Sequence, residues 1–195
     1  MTLNPSVPIA LRTPRLLLRR QHPADALLIK EAVDTSLAHL QASVAWAHAA
    51  PEPLSVLQAR LAASAAAFDA GQAWTFSILD QAATRVLGGV GLHTPDAALT
   101  RLVGPGALET GYWLRADATR LGYATEATAC LVELAFSCLR AQRVVICHDP
   151  TNIGSEGIPR RLGFRALGTV TAEVLPGRQA ADGSLRPETK VWVRD

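Results

Sequence analysis

The fold of this chain is decided by residues 111–127, which read GYWLRADATRLGYATEA. An apolar run typical of a buried strand opens the stretch, and a short polar loop follows it. A helix then begins around Gly122 and Ala124, where small side chains let a ligand approach the backbone. Because a helix N-terminus carries unpaired N–H groups and a partial positive charge, the stretch predicts a site for a phosphate-bearing cofactor.

Length and composition indicate one domain. The chain has 195 residues, of which 49% are hydrophobic, so it can bury one sizeable core. Residues 1–195 are therefore expected to form a single domain. The 19 basic and 17 acidic residues give a formal net charge of +2 and are spread along the sequence. Without a basic run or a basic helix, nucleic acid is not an expected partner.

The N-terminal segment and the cysteines favour a cytoplasmic location. Residues 1–12 lack a cationic region followed by a long apolar one, so a signal peptide is not expected. No stretch approaches the roughly 20 apolar residues of a membrane span. Cys130 and Cys138 would lie ~12 Å apart along one helix, too far for a disulfide. We expect reduced thiols, and no spacing of Cys, His, Asp or Glu predicts a metal.

Periodicity and turn residues predict an alternation of strands and helices. The predicted strands span about 15–20, 73–79, 85–93, 109–114, 143–147, 165–175 and 190–194. The predicted helices span about 23–49, 54–70, 124–138 and 153–162, and the longer loops lie at 95–106 and 177–187. This order indicates an α/β fold with helices on both faces of a sheet.

The cofactor stretch resembles the acetyl-CoA motif of the GNAT superfamily of N-acetyltransferases, in which Gln/Arg-x-x-Gly-x-Gly/Ala leads into a helix. Thr119 stands at the Gln/Arg position, Gly122 at the central glycine and Ala124 at the small residue. Three further stretches are similar to the Rim-type branch, which acetylates ribosomal-protein N-termini and includes many acetyltransferases of small amines. In chain order they are residues 12–19, 109–114, and 149–155 with 162–164.

The resemblance implies the GNAT fold, a mixed and mostly antiparallel central sheet with helices on both faces. In that fold the strands at Trp113 and Val145 splay apart, and the pantetheine arm of acetyl-CoA enters the gap. The implied reaction is acetyl transfer from acetyl-CoA to a primary amine by direct attack on the thioester. The acceptor would be a protein N-terminus, such as that of a ribosomal protein, or a small-molecule amine, and a homodimer is the family-based expectation.

The resemblance also implies which residues bind the cofactor. Backbone N–H groups of the loop 120–124 would bind the pyrophosphate, and main-chain groups of the central strand would bind the pantetheine amides. The expected cofactor-binding residues are Trp113, Leu114, Arg115, Arg120, Leu121, Gly122, Tyr123, Ala124, Asn152 and Arg160. Arg120 stands where the family often has glycine, so a positive φ there would strain it by roughly 1 kcal/mol.

Two residues are candidates for catalysis. Glu109 could take the ammonium proton, directly or through water, or could attract the cation, and the alternative is a structural carboxylate at a strand end. Ser155 follows Asn152 by one helical turn, and the resemblance places its hydroxyl near the thioester sulfur, where it could protonate the leaving thiolate. The alternative for Asn152 and Ser155 is a pair of helix-capping residues, which both types favour.

Acceptor choice is expected to lie around residues 40–46 and in the loop 177–187, which would flank the mouth of the splayed sheet. Trp46 is either part of that mouth or a core anchor. Cys147 and His148 adjoin the cofactor strand, but a strand cysteine usually serves packing, so they are not predicted as nucleophiles.

The last predicted helix contains Pro159, which removes a backbone hydrogen bond and biases Ile158 away from helical angles, at about 3 kcal/mol in a helix interior. A short, kinked or late-starting helix is therefore expected. Together with Thr119 and Arg120, this departure motivates a second hypothesis, a catalytically inactive GNAT-fold module that binds an acyl-CoA as a sensor or serves as an interaction domain.

Overall fold

The computed structural model describes residues 7–42 and 44–195. Residues 1–6, part of the segment assessed for a signal peptide, and Ser43, within the predicted acceptor segment, lie outside this range. The strands are β1 (Ala10–Arg12), β2 (Leu16–Arg20), β3 (Ala73–Asp80), β4 (Val86–His93), β5 (Ala107–Leu114), β6 (Arg143–His148), β7 (Arg165–Thr171) and β8 (Glu188–Arg194).

These strands form one mixed sheet in the order β1-β2-β3-β4-β5-β6-β8-β7. Within the described chain, β5 and β6 are parallel and every other neighbouring pair is antiparallel. A mixed and mostly antiparallel sheet is what the sequence predicts. The short strand β1, which pairs with β2, is an element that the sequence reasoning missed.

Helices cover both faces of the sheet, as expected. They are α1 (Ala26–Asp34), α2 (Leu37–Gln41), α3 (Leu54–Asp69), α4 (Ala97–Val103), α5 (Tyr123–Ser137) and α6 (Ile153–Arg161). Short 3-10 turns lie at Pro23–Asp25, Ala45–Ala49 and Ala116–Ala118. None of the helices within the described residues has the length and apolarity needed to cross a bilayer.

Strand alternation divides the core between the two faces. On β2, Leu16 packs in the layer that holds Leu131 of α5, whereas its neighbour Leu17 packs in the layer that holds Ile29 of α1 and Leu61 of α3. All five side chains are buried. Successive strand residues point to opposite faces of the sheet. One apolar run therefore contributes side chains to the core layers on both faces. The sheet is thereby held rigidly from both sides.

The predicted helix over 23–49 is wrong as a single element, because the chain breaks after α1. There the Thr35 hydroxyl donates to the carbonyl of Glu31 at 2.7 Å. The Ser36 hydroxyl accepts a 3.0 Å hydrogen bond from the backbone N–H of Ala116. This second contact spans 80 residues of sequence, so no local pattern announces it. It ties the break to the end of the central strand.

Two other boundaries differ from the prediction. The segment 95–106 contains α4, whose N-cap Asp96 accepts a 2.8 Å hydrogen bond from the N–H of Leu99. The Pro-Asp pair therefore starts a helix rather than a loop. The strand predicted over 165–175 ends at Thr171, whose carbonyl accepts from Val174 and Leu175 in a turn.

The predicted splay of the sheet is present. β5 pairs with β6 only over Ala107–Glu109, opposite Arg143–Val145. Beyond Glu109, β5 runs on to Leu114 beside β4, while β6 runs on to His148 beside β8. The two central strands therefore part in the middle of the sheet. Among the described residues, no strand pairs with the edge of β5 on the β6 side beyond Glu109.

Candidate active site

The gap between β5 and β6 opens into a cleft of about 1570 Å³. The N-termini of α5 and α6 line it on one side, and α2 and the turn Ala45–Ala49 line it on the other. Many of the predicted site residues line this cleft, namely Trp113, Leu114, Arg120, Leu121, Gly122, Ala124, Asn152 and Ser155. The structure thus brings residues from two distant stretches of the sequence, 113–124 and 152–155, to one place.

The N-terminus of α5 has the backbone expected of an anion site. Gly122 is its N-cap at φ 82°, and no side chain in the described chain caps the helix. The N–H groups of residues 123–125 are therefore available, and the helix dipole favours a negative charge beside them. Arg120 takes φ 60°, so the predicted positive φ is present. The strain is of the order of 1 kcal/mol for a non-glycine residue.

Arg15 anchors this loop to the turn between β1 and β2. Its Nε lies 2.7 Å from Oε2 of Glu126, and its Nη1 donates to the carbonyl of Leu121 at 2.8 Å. The Thr13 hydroxyl donates to Oε1 of Glu126 at 2.6 Å. Burial would raise the pKa of Glu126, but Thr13 and Arg15 outweigh burial and lower it. Arg15 also lines the cleft, and its positive charge offsets the negative charge of the Glu126 carboxylate beside the anion site.

Sequence reasoning used Arg15 only as part of a strand. Its partner Glu126 lies 111 residues away, and nothing near Arg15 in the sequence indicates that contact. The ring of Tyr123 lies under the Arg15 guanidinium, 4.8 Å from its Cζ, and does not line the cleft. The expectation for Tyr123 concerns its backbone N–H, which belongs to the first turn of α5.

The sequence makes both Arg160 and Arg161 candidates for contact with the CoA phosphates, and of these two Arg161 lines the cleft while Arg160 does not. Nη2 of Arg160 lies 2.6 Å from Oε1 of Glu156, and its guanidinium stacks over Trp192 at 5.2 Å. Arg160 is therefore held in an ion pair with Glu156, one turn earlier on the same helix. Arg161 lines the cleft beside α5, with Nη1 3.4 Å from Oγ1 of Thr125.

Arg115 is also away from the cleft, which corrects its predicted place among the cofactor residues. Its side chain is buried and pairs with Glu31 at 2.7 Å and with Asp117 at 2.8 Å. Its backbone N–H donates to the carbonyl of Leu87 at 2.9 Å. Both polar groups are therefore used within the protein, and the residue holds β5 to α1.

Glu109 is buried at the point where the sheet splays, and only 6% of it is exposed. Arg178 holds both of its oxygens, with Nη1 at 2.6 Å and Nη2 at 3.1 Å. Nε2 of His93 lies 3.4 Å from Oε2. Burial alone would raise the pKa of Glu109, but His93 and Arg178 outweigh burial and hold it at about 2. Such a carboxylate is a weak proton acceptor, so direct proton removal by Glu109 disagrees with its surroundings.

The turn that begins α6 supports both interpretations of Asn152. Its Oδ1 accepts a 3.0 Å hydrogen bond from the N–H of Ser155, so it caps the helix. Its amide NH₂ is not part of this cap, and the residue lines the cleft. The Ser155 hydroxyl is not part of the cap either. α6 is short, as predicted, and contains Pro159, although it starts at Ile153 rather than late.

The polar residues at the end of β6 are poor nucleophiles. Burial raises the pKa of the Cys147 thiol, and the three cysteines are unpaired. His148 uses both ring nitrogens, because Nδ1 lies 2.7 Å from the carbonyl of Asp149 and Nε2 accepts from Trp192 at 3.0 Å. Burial lowers the pKa of His148. Within the described chain, no three His, Cys, Asp or Glu side chains come together as metal ligands.

The face of the sheet turned away from α5 carries a bare patch in the cleft. Gly91 on β4 pairs with Gly111 on β5, and both line the cleft. A Cβ built on Gly111 would meet no atom within 4 Å, so the space above it is open. Sequence reasoning missed this floor, although a glycine inside a strand often marks a close approach by a ligand.

An aromatic wall closes one end of this floor. The Trp113 indole lies over Gly89, where an added Cβ would come within 2.5 Å of its Nε1. Trp46 packs edge-on against Trp113 with ring centroids 5.7 Å apart, and 43% of Trp46 is exposed. Trp46 is therefore part of the mouth rather than a buried anchor. His93 and Arg186 lie in the lining as well, the latter on the loop 177–187.

The comparison with known families decides the class of protein. Residues 15–165 match the model of the acetyltransferase (GNAT) domain. The chain belongs to the GNAT acetyltransferase family. A search of the curated protein sequences finds no match.

Solved structures of GNAT acetyltransferases share the fold. The microcin C7 self-immunity acetyltransferase MccE, in complex with acetyl-CoA and AMP, has a TM-score of 0.79 and 18% identity over 96% of this chain and 97% of that one. RimL, the ribosomal L7/L12 α-N-protein acetyltransferase in complex with coenzyme A, has a TM-score of 0.77 and 16% identity over 96% of each chain. The ribosomal-protein-S5-alanine acetyltransferase from Vibrio fischeri has a TM-score of 0.76 and 16% identity over 96% of each. The predicted GNAT fold is thus confirmed.

Proposed function

We propose that this GNAT acetyltransferase transfers an acetyl group from acetyl-CoA to a primary amine by direct attack on the thioester. The continuous cleft carries this proposal. It leads from the uncapped N-terminus of α5, through the gap beyond Glu109, to the open glycine floor on the other face. A long cofactor can enter from one face and present its thioester to an acceptor that arrives from the other.

The cofactor's phosphates would lie at the start of α5. Backbone N–H groups there supply hydrogen bonds, and Arg120 and Arg161 supply positive charge on either side. The pantetheine arm would run along the edge of β5, where Trp113 and Leu114 offer main-chain groups without a strand partner on the β6 side. The free amide NH₂ of Asn152 adds a donor near this arm.

The reaction needs little covalent help from the protein, because the thioester is already reactive. The neutral amine attacks the thioester carbonyl carbon, the C–N bond forms, and the C–S bond breaks to release a thiolate. The Ser155 hydroxyl stabilises the thiolate, which is protonated to the thiol of CoA as the nitrogen loses its second proton. Glu109 assists removal of the first proton through a neighbour rather than as the base itself.

The acceptor is a protein N-terminus, such as that of a ribosomal protein, or a small-molecule amine. The glycine floor and the wall of Trp46 and Trp113 fit a slender amine with an apolar body. The loop 177–187 contributes Arg186 to the same mouth. A cytoplasmic location suits three unpaired cysteines and a reaction fed by acetyl-CoA, and a homodimer remains the family-based expectation.

Calorimetric titration with acetyl-CoA tests the cofactor site. We expect micromolar binding by the wild type and none by Gly122→Glu, which places a carboxylate at the anion site. Gly163→Glu is the matched control, because Gly163 also has a positive φ of 72° but lies outside the cleft. Loss of binding in both variants would indicate unfolding rather than a site. No binding by the wild type would overturn the proposal.

Turnover separates the enzyme from the sensor or interaction module. Release of free CoA thiol is measured with three classes of amine, namely a peptide with a free N-terminal alanine, free amino acids and polyamines. Turnover that falls in Ser155→Ala with acetyl-CoA binding retained supports the enzyme. Tight binding without transfer to any amine would favour the catalytically inactive module.

A further inference from the structure

We propose that the imidazole of His93 removes the proton from the acceptor ammonium, and that Glu109 is the positioning residue that orients it. The proposal rests on the proposed acetyl transfer and names the proton acceptor that this reaction requires. It starts from the finding that Glu109 is ionised and saturated by Arg178, so the base must be another group.

His93 lies beside Glu109 by strand register. The two residues are cross-strand partners on β4 and β5, and their side chains share one face of the sheet. Nε2 of His93 is 3.4 Å from Oε2 of Glu109. Both oxygens of Glu109 are held by Arg178, which is itself held by Asp96 at 3.3 Å. The carboxylate is therefore fixed in position and cannot turn away from the ring.

The carboxylate also favours one tautomer of the neutral ring. An anion beside Nε2 favours the neutral tautomer that carries its proton there, because that N–H then points at the negative charge. The lone pair is left on Nδ1, which becomes the acceptor for a proton. As Nδ1 takes that proton, the carboxylate of Glu109 stays 3.4 Å from the other ring nitrogen. The charged groups that bear on this pair include Arg178, Asp96 and Arg186.

The location of His93 suits this task. Half of its side chain is exposed, at 51%, and the residue lines the cleft. Its strand register is one position from Thr110 and two from Gly111, where β5 begins to part from β6. On the same face, a Cβ added to Gly111 would meet no atom within 4 Å, whereas one added to Gly91 would lie 3.3 Å from Oγ1 of Thr75. The open space beside His93 therefore lies above Gly111. An amine on this floor is next to both the gap and the ring.

Three other titratable groups of the cleft are less suitable. His148 has both ring nitrogens engaged, as Asp149 and Trp192 hold them. Tyr112 donates its hydroxyl to a carbonyl, and burial raises its pKa to about 12. Burial raises the pKa of Cys147 as well. Among the described residues, His93 combines exposure to the cleft with a fixed carboxylate.

Kinetics on His93→Ala test the inference, with the amine of highest turnover from the three classes above. We expect kcat at pH 7 to fall by about 100-fold or more, the usual contribution of a general base, while acetyl-CoA affinity stays within about twofold. Added imidazole should restore part of the activity. His22→Ala is the control, because His22 caps the turn Pro23–Asp25 outside the cleft and its loss should leave kcat unchanged.

The pH profile separates a base from a structural residue. The acidic limb of kcat should disappear in His93→Ala. Retention of kcat within about threefold, or an unchanged acidic limb in His93→Ala, would overturn the role of His93 and leave acetyl transfer standing. A wild type that binds acetyl-CoA but acetylates no amine would overturn the proposed function itself, and the base with it.

Discussion

The hydroxyl of Tyr112 takes the hydrogen-bonding position that Pro159 leaves empty in α6. In an α-helix the N–H of residue 159 would donate to the carbonyl of residue 155, but proline has no N–H. Tyr112 Oη donates to the carbonyl oxygen of Ser155 instead, at 3.2 Å. Burial raises the pKa of Tyr112 to about 12, so the phenol keeps its proton. The central strand thereby holds the turn that carries the candidate catalytic serine.

Replacing Tyr112 by Phe should lower the free energy of unfolding by about 1 to 2 kcal/mol, because the half-buried carbonyl of Ser155 loses its partner. In a Pro159→Ala background, the restored N–H of residue 159 satisfies that carbonyl, and the same change should have a much smaller effect. Urea unfolding of the wild type, both single variants and the double variant measures the coupling. Equal losses in the two backgrounds would show that Tyr112 and Pro159 act independently.

Gly122→Ala should weaken acetyl-CoA binding by about tenfold, equivalent to ~1.4 kcal/mol. An alanine disfavours the φ of 82° at this position, and its Cβ would lie 3.3 Å from Nη2 of Arg15. Gly163→Ala introduces similar backbone strain at φ 72°, with no atom within 4 Å of the new Cβ. Both variants should lose about 1 kcal/mol of stability. In calorimetry, only Gly122→Ala should lose affinity for acetyl-CoA. Equal affinities of the two variants would indicate that the cofactor's phosphates bind elsewhere.

Arg161→Ala should reduce acetyl-CoA affinity by about tenfold, since one charge-assisted contact to phosphate contributes roughly 1.5 kcal/mol. Arg160→Ala should change affinity little, because Glu156 and Trp192 already hold that guanidinium. Titrations at low and high ionic strength provide the check, and the difference between the two variants should shrink as salt rises. A larger effect from Arg160 would return the phosphate contact to that residue.

The buried carboxylate of Glu109 should make the free energy of unfolding depend on pH in the acidic range. Its pKa is lowered from 4.5 to about 2, so the native state favours the ionised form. This stabilisation, roughly 3 kcal/mol at 1.36 kcal/mol per pKa unit, is complete above pH ~4.5 and is lost as pH falls towards 2. The free energies of unfolding of the wild type and of Glu109→Gln, measured between pH 7 and pH 2, isolate the contribution of this carboxylate. The stability difference should narrow as pH falls, and a constant difference would contradict the low pKa.

Much of the fold follows from local pattern. The hairpin of β3 and β4, the helix α3 and the strand β5 lie where alternation, helical periodicity and breaker residues predict them. The loop before α5 is equally local, since Gly122 and its neighbours specify a helix start wherever they occur. Some differences have local causes, such as the Asp96 cap that begins α4. The end of α1 instead involves a distant partner, because the Ser36 hydroxyl accepts a hydrogen bond from the N–H of Ala116.

The candidate site likewise contains some residues that local motifs predict and others whose place depends on distant contacts. Gly122, Asn152 and Ser155 belong to motifs that can be read in order, and the structure places them in one cleft. Arg160 and Arg161 are adjacent in sequence and equal in chemistry, so only the position of Glu156 distinguishes them. Arg115 is drawn away by Glu31, which is 84 residues distant. Side-chain competition of this kind is invisible to a motif.

By itself the sequence determined the element types, the GNAT resemblance and the cofactor loop, because these depend on neighbours along the chain. Tertiary structure alone decided the protonation of Glu109, the exposure of His93 beside it and the open glycine floor. A carboxylate becomes a weak base only when burial and a guanidinium act on it together, and Arg178 comes from a loop 69 residues away. Charge, desolvation and open space are properties of a folded arrangement, so they follow from which strands pair rather than from any single stretch.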